Sequence, residues 1–217
     1  DVRLGAALAL WEQEDTSGRS IFMETLQHGT NQQCMLILST LLENAKTTRD
    51  LGELTNILLE DLRDPDPLIR QAAFALLDNI GYPLETFQVL QLLQDANDII
   101  RSRAAKMLGN ISDARTIPAL SEALLQTPYR EVHQTIATAL GKIGDPAAIL
   151  ALSTALQTIR ISPGGLSGIA RPICESIIVA LGKIGDPTII PVLLEWGLLL
   201  QPIVIEALKM MKGSSTI

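Results

Sequence analysis

Aromatic residues are scarce in this chain and make up 3% of its 217 residues. An interior organised around large rings is therefore excluded. Ala, Leu and Ile must fill the core instead, as happens when thin helices stack closely. Hydrophobic residues still reach 47% of the chain, which is ample for a sizeable core.

Basic residues are outnumbered by acidic ones, with 17 Lys and Arg against 24 Asp and Glu and a formal net charge of −7. Nucleic acid binding over a broad surface needs a basic footprint. The charge balance therefore argues against nucleic acid as a partner.

Cysteine and histidine are also rare, with two of each. Cys34 and Cys174 belong to no CxxC pair and no Cys/His cluster, so we expect two small buried hydrophobes in a reducing compartment. His133 has no second histidine in its own or a neighbouring unit, and we expect it on a helix surface or interface. We predict no metal site and no cofactor.

Signatures of common enzyme classes are missing as well. The chain contains no HExxH, no GxSxG, no phosphate-binding P-loop and no paired-carboxylate site. We therefore assign no catalytic residue and favour a protein that is not an enzyme.

Uninterrupted apolar runs are short. The most apolar stretch, 188–208, is broken by Pro191, Glu195, Gly197, Pro202 and Glu206. It predicts two packed helices and no membrane span. Because no signal peptide opens the sequence, we expect a cytoplasmic protein.

What the chain does contain is an internal repeat. The phrase Ala-Leu-Gly-Lys-Ile-Gly-Asp-Pro occurs at 139–146 and again at 180–187, with fainter copies at 77–81 and 108–113. Leu77 and Leu108 are 31 residues apart, and Leu108 and Leu140 are 32 apart. A period in this range is typical of a stacked helical array.

Each unit is predicted to contain two helices. In 66–80 the apolar positions 69, 73, 76, 77 and 80 form one helical face, Asp66 and Pro67 begin the helix, and Gly81 ends it. A second helix at about 84–93 is expected to pack back on the first. The same scheme predicts helices at 98–110, 114–125, 130–143, 146–156, 172–184 and 187–200.

The junction Ile-Gly-Asp-Pro predicts a tight corner between the helices of the later units. Glycine is expected to end one helix in the left-handed conformation, aspartate to cap the next, and proline to occupy its first turn. This arrangement should make the corner rigid.

The N-terminal part is degenerate but in phase with the later repeats. We predict helices near 2–13, 21–26, 33–44 and 51–62, clear repeats over 63–200 and a closing helix at 203–212, about six pairs in a single domain, 1–217. Asp1 begins in the middle of a repeat with no polar cap before it. Either the sequence is a fragment of a longer protein, or a partner or second copy covers this repeat.

The period breaks once, because Leu140 and Leu181 are 41 residues apart. The excess residues, 159–171, predict a loop insertion on one edge of the array. The loop either carries function at the rim of a binding surface or is a tolerated surface insertion. Its candidate site residues are Arg160, Gly164, Gly165, Leu166 and Arg171.

The repeated pattern Val/Ile-Arg-x-x-Ala-Ala-x-x-Leu-Gly-x-Ile-Gly-Asp-Pro resembles a HEAT repeat. More narrowly, it is similar to the phycobilisome-lyase type of HEAT-like repeat found in bacteria, especially cyanobacteria. The matching positions include Ile69-Arg70, Ile100-Arg101, Val132 with 140–146, and Ile173 with 181–187. The resemblance implies an all-α, right-handed α-solenoid of armadillo-like helical type.

The resemblance also implies a role for the repeat arginines. In the family this arginine tends to pair with a neighbouring Asp, so Arg70 and Arg101 are expected to be architectural. His133 and Cys174 stand at the same position in later units. Members with bilin lyase or isomerase activity are richer in Tyr and Trp on the inner helices, which weakens a lyase assignment here.

A stripe of polar residues is the best candidate site. Aligning Leu77, Leu108, Leu140 and Leu181 places the same three positions of every inner helix on one surface. These positions hold Ala72, Ala75 and Asn79 in the first unit, then Arg103, Lys106, Asn110, Thr135, Thr138, Lys142, Ser176, Val179 and Lys183. We expect a basic, concave surface that attracts an acidic segment of a partner; ordinary solvated helix positions are the alternative.

Three functions remain open from the sequence. The leading one is a non-catalytic scaffold that binds a partner protein on its concave inner helices. The second is a subunit of a phycobilin lyase or a phycobilisome-handling factor. The third is the HEAT segment of a larger regulatory protein.

Overall fold

The computed structural model describes residues 21, 24–25, 29–44, 52–127, 129–161 and 170–214. All regular elements in these residues are helical, as the sequence predicts. The α-helices in chain order are α1 (Asn31–Asn44), α2 (Gly52–Asp61), α3 (Pro67–Asn79), α4 (Thr86–Leu92), α5 (Asp98–Ile111), α6 (Ile117–Gln126), α7 (Arg130–Ile143), α8 (Ile149–Ile161), α9 (Ala170–Ile184), α10 (Ile190–Gly197) and α11 (Gln201–Ser214).

The predicted corner is present in both later units. Gly144 and Gly185 have φ of 73° and 74°, which is the left-handed region that glycine adopts at low cost. The side chains of Asp145 and Asp186 accept hydrogen bonds from the amides of Ala147 and Thr188, each at 2.8 Å. The capped element is a short 3₁₀ turn, which then continues into α8 or α10.

The chain divides into two compact units, residues 1–84 and 85–217. In the first unit, α3 packs against both α1 and α2. Fully buried side chains from all three helices, among them Ile37, Leu58 and Phe74, form the core there. The prediction of a single domain over 1–217 stays a prediction.

In the second unit the helices form two rows. Helices α5, α7, α9 and α11 pack side by side, each against the next, while α6 and α8 pack on each other behind them. The pairing within this arrangement differs from the prediction. Helix α6 packs more extensively on α7, the first helix of the next repeat, than on α5, and α8 packs more extensively on α9 than on α7. Hydrophobic periodicity identifies a buried face but not the neighbour that covers it, which explains the difference.

Small residues bring the front row together. A Cβ atom built on Gly109 would lie 2.8 Å from both Cα and Cβ of Ala139, and Gly141 meets Ala180 at 2.8–2.9 Å in the same way. Gly182 repeats the contact with Ala207, at 2.7 Å from Cα. Glycine at these positions therefore lets α5, α7, α9 and α11 approach at short interaxial distance.

Several predicted boundaries shift. Helix α8 continues to Ile161 and α9 begins at Ala170, so both ends of the predicted insertion 159–171 are helical. Helix α10 ends at Gly197 rather than at Leu200, and the closing helix α11 is longer than 203–212 at both ends. The helix predicted at 2–13 lies outside the described residues, as does half of 21–26.

Both cysteines are buried, as expected, and neither forms a disulfide bond within the described residues. Burial raises the pKa of the Cys174 thiol to about 11, so this side chain stays protonated at neutral pH. No helix in the described ranges combines the length and apolar character that a bilayer crossing requires.

Candidate functional site

The predicted stripe lies at the surface of the second unit. We call its nine residues on α5, α7 and α9 the lysine face. Lys106, Asn110, Thr138, Lys142 and Lys183 are exposed, and Arg103, Thr135, Ser176 and Val179 are half-buried. In the first unit the corresponding Ala72 is half-buried and Ala75 is buried.

Two hydrogen bonds join neighbouring helices across this face. Lys142 Nζ donates to Asn110 Oδ1 at 2.9 Å, which pairs the residues that follow Gly141 and Gly109. The hydroxyl oxygens of Ser102 and Thr135 lie 2.9 Å apart. The sequence register predicted for Asn110 and Lys142 is therefore the register in space, and corresponding side chains of α5 and α7 lie next to each other.

A cleft of about 270 Å³, here called the α7–α9 groove, opens on the lysine face. It is lined by Gln134, Thr138, Pro172, Glu175, Ser176, Val179, Ala180 and Lys183. Four of these residues belong to the predicted stripe. At the Pro172 end, Glu175 Oε1 accepts from Arg171 Nε at 2.9 Å.

The candidate loop residues are placed only in part. Arg171 lies in the first turn of α9 and is exposed, so it is a helical residue and not a loop residue. The backbone of Arg160 belongs to α8. Gly164, Gly165 and Leu166 lie outside the described residues.

A larger cavity of about 580 Å³ lies on another edge of the second unit, beside the turns that precede α5 and α7. We call it the Tyr129 cavity. The Arg101 guanidinium carbon lies 5.2 Å from the centre of the Tyr129 ring, a cation–π contact. Glu122 and Gln126 add polar groups to its lining, and Leu93 and Val132 add apolar ones.

The repeat arginines are architectural, as the resemblance implies. Arg101 Nη1 donates to the carbonyl oxygens of Asp95 at 2.6 Å and Ala96 at 2.9 Å. Arg70 Nη1 does the same with the carbonyl oxygens of Asp64 and Pro65 at 2.8 and 3.0 Å. Each arginine thus ties the turn before its helix to the helix itself.

Histidine at the equivalent position behaves differently. The Nδ1 of His133 lies 3.3 Å from the carbonyl oxygen of Tyr129, and the side chain is half-buried on α7. Burial lowers the pKa of His133 below its usual value, so the ring is neutral at physiological pH. This placement agrees with a helix-surface residue.

Tyr129 was not predicted as a site residue, although its place at the start of α7 is unusual for an aromatic residue. The turn before α5 has Asn97 as its cap, whose side chain accepts from the amide of Ile99, and the turn before α3 has Asp66. Tyr129 stands at this capping position and makes no side-chain cap hydrogen bond. A large aromatic residue in place of a capping residue indicates another use for the side chain.

No group of three His, Cys, Asp or Glu side chains in the described ranges is arranged to hold a metal ion.

Comparison with known proteins agrees with the helical architecture. Residues 86–159 match the family model of HEAT repeats. These residues extend from α4 into α8 and include α5 and α7 of the front row. The prediction of HEAT repeats is therefore confirmed for this stretch, and its helices stack as in an α-solenoid.

A curated relative matches about half of this chain. Over 114 residues the chain is 36% identical to a protein of the cyanobacterium Pseudanabaena tenuis described as "uncharacterized phycocyanin operon protein Z". The match covers 49% of this chain and 56% of the relative, so the chain spans little more than half of that protein's length. This match agrees with the narrower resemblance to the phycobilisome-lyase type of HEAT-like repeat.

Among solved structures, human deoxyhypusine hydroxylase in its glycerol complex is similar in fold. The TM-score is 0.50 at 19% identity, and the match covers 97% of this chain and 79% of that one. At this level of identity the likeness concerns the fold alone.

Proposed function

We propose that this chain is a non-catalytic scaffold that binds an acidic segment of a partner protein on the lysine face. The observation that carries the proposal is that Lys106, Lys142 and Lys183 occupy stripe positions on α5, α7 and α9 and are all exposed, in a chain whose net charge is −7. Local positive charge on an acidic protein selects for partners with complementary charge and excludes many others.

The structure of the face supports binding rather than turnover. Its side chains are three amines, one guanidinium group, one amide, three hydroxyls and one valine, on helices that the Gly–Ala contacts bring close together. HEAT repeats commonly present such surfaces to other proteins. The partner we propose is a protein segment rich in Asp or Glu.

The test reverses the charge of the face. The variant Lys106→Glu/Lys142→Glu/Lys183→Glu is compared with a control, Arg63→Glu/Arg130→Glu/Lys209→Glu, which changes the net charge equally at exposed positions outside the lysine face. We expect the first variant to lose binding of a fluorescein-labelled glutamate-rich peptide, measured by fluorescence anisotropy, and the control to retain most of it. Equal binding by wild type and the lysine variant would refute the proposal.

A second function is favoured by a separate observation. The Tyr129 cavity, with its aromatic ring and guanidinium group, is large enough for a drug-sized ligand, and the relative from Pseudanabaena tenuis is described as a phycocyanin operon protein. A subunit of a bilin lyase or a phycobilisome-handling factor would bind an open-chain tetrapyrrole. Mixing the purified chain with phycocyanobilin should then change the pigment's absorption spectrum and should not do so for Tyr129→Ala; a flat difference spectrum removes this function.

A further inference from the structure

The two hydroxyl groups of the α7–α9 groove are hydrogen-bond acceptors towards the groove. Thr138 Oγ1 donates to the carbonyl oxygen of Gln134 at 2.8 Å, and Ser176 Oγ donates to that of Pro172 at 2.9 Å. A hydroxyl group carries a single proton, so both groups have used theirs on their own helix. Only their lone pairs are left for a molecule that enters the groove.

Between the neighbouring helices α5 and α7, a hydroxyl acceptor of the same kind receives a hydrogen bond from the adjacent helix. Thr135 Oγ1 donates to the carbonyl oxygen of Glu131 at 2.8 Å, so in its 2.9 Å contact with Ser102 the proton must come from Ser102. Between α5 and α7 the acceptor thus receives a donor from the adjacent helix. In the described part of the chain no hydrogen bond is donated to Thr138 Oγ1 or Ser176 Oγ.

The dimensions of the groove favour an extended chain. From Pro172 to Lys183 it follows α9 for eleven residues, about 16 Å at 1.5 Å per residue. About five residues of extended chain span that distance. A helix has its interior N–H groups bonded within itself, so it cannot supply the missing donors.

We propose that the α7–α9 groove holds an extended, acidic stretch of the partner. Its main-chain N–H groups donate to Thr138 Oγ1 and Ser176 Oγ, and one of its carboxylates pairs with Lys183. This inference rests on the proposed function, because it assigns a conformation and a donor pattern to the acidic segment that the lysine face binds. Charge brings the segment to the face, and the hydroxyl acceptors select chains with free main-chain N–H groups.

The test uses two peptide probes of the same charge. One is a short fluorescein-labelled peptide of glutamate and glycine; the other is its twin with the central amide nitrogens methylated, which removes donors only. Each is titrated against wild type and against Thr138→Val/Ser176→Ala, in which both acceptors are gone. The Ser176→Ala single variant serves if the double variant does not fold.

The expected result is a loss of about tenfold in wild-type affinity on methylation, as two hydrogen bonds would give, and no further loss on methylation in the double variant. Methylation that weakens binding equally to both proteins overturns the groove contact but leaves the lysine face intact. If the triple lysine-to-glutamate variant binds the unmethylated peptide as tightly as wild type does, the proposed function itself has failed.

Discussion

Single small residues determine how closely the helices of the second unit pack. Gly141 is the central example, because an added Cβ would lie 2.8 Å from the Cα of Ala180 and 2.9 Å from its Cβ. Backbone atoms cannot move aside as the tip of a flexible side chain can. The cost of a methyl group at this position must therefore be met by moving α7 or α9 as a whole.

We expect Gly141→Ala to destabilise the protein. Overpacking typically costs about 1–3 kcal/mol, and the better helix propensity of alanine offsets at most about 1 kcal/mol of that. Urea unfolding of the variant and wild type measures the difference in free energy. Gly197→Ala is the control, because nothing lies within 4 Å of a Cβ built on Gly197; a Gly141→Ala variant as stable as this control would contradict the contact.

Asp61 in the first unit is a carboxyl group in an unfavourable environment for its charge. No hydrogen bond from the described residues reaches its Oδ2, which is buried. Burial, followed by the charges of Asp64 and Glu60, raises the pKa of Asp61 to about 6. The ordinary value for an aspartate is near 3.9, so the folded state holds this proton more tightly than the unfolded state.

Because of this raised pKa, the free energy of unfolding is expected to fall as the pH rises. The favourable contribution is complete below about pH 4 and is lost as the pH passes through 6, because the folded state must then ionise a buried carboxyl group. Asp61→Asn should remove this dependence and be more stable than wild type above pH 7. Urea unfolding of both proteins between pH 4 and 8 tests this, and a stability difference that does not grow with pH would contradict it.

At the scale of helices and turns, the corners are the best-defined elements. Asp145 caps the turn before α8 through one side-chain hydrogen bond, to the amide of Ala147 at 2.8 Å. Asp186 makes the same bond to Thr188 and also accepts from the Thr188 hydroxyl at 2.7 Å. The two corners share a sequence but differ in how many bonds hold the aspartate.

We expect Asp145→Ala to cost about 1 kcal/mol, the usual loss for a helix cap, and Asp186→Ala to cost more because it breaks a second bond. Thermal unfolding followed by circular dichroism measures both. Asp145→Asn and Asp186→Asn keep an acceptor oxygen and should retain most of the stability. Equal melting temperatures for the two alanine variants would show that the Thr188 hydroxyl contributes nothing.

The sequence predicts these elements well where glycine, aspartate and proline mark them. The bounds of α7, 130–143, match the prediction at both ends. The prediction of helix ends fails where no such residue is present. Helix α8 continues to Ile161 because its sequence contains no glycine or proline before Pro163. The contact of α6 with α7 was also beyond prediction, since an apolar face can be covered by either neighbour.

At the scale of the whole molecule, the sequence predicts which residues form the candidate site but not the contacts and clefts around them. Equal spacing of the repeats places Lys142 beside Asn110, and their hydrogen bond bears this out. The stacking of Arg101 on Tyr129 could not be predicted, because it depends on the path of two turns that are far apart along the chain. The α7–α9 groove likewise exists only once α9 has been placed against α7.

Binding through the lysine face should depend strongly on salt. Exposed charges are screened within about 10 Å at 0.1 M ionic strength and within about 3 Å at 1 M. We expect the affinity for a glutamate-rich peptide to fall steadily as sodium chloride is raised, and the control Arg63→Glu/Arg130→Glu/Lys209→Glu to show a similar slope. Fluorescence anisotropy at several salt concentrations measures this, and an affinity independent of salt would exclude a charge-based interaction.

The Gly–Ala contacts have a consequence for how such a molecule can change in length. Helix α7 offers Ala139 to the helix before it and Gly141 to the helix after it, and α9 offers Ala180 and Gly182 in the same order. Each of these helices therefore presents an alanine to the preceding helix and a glycine to the following one. A duplicated repeat that carries both residues fits between two such helices. The row can thus gain or lose a repeat without changes in the neighbouring helices, and the binding surface lengthens or shortens by one helix width each time.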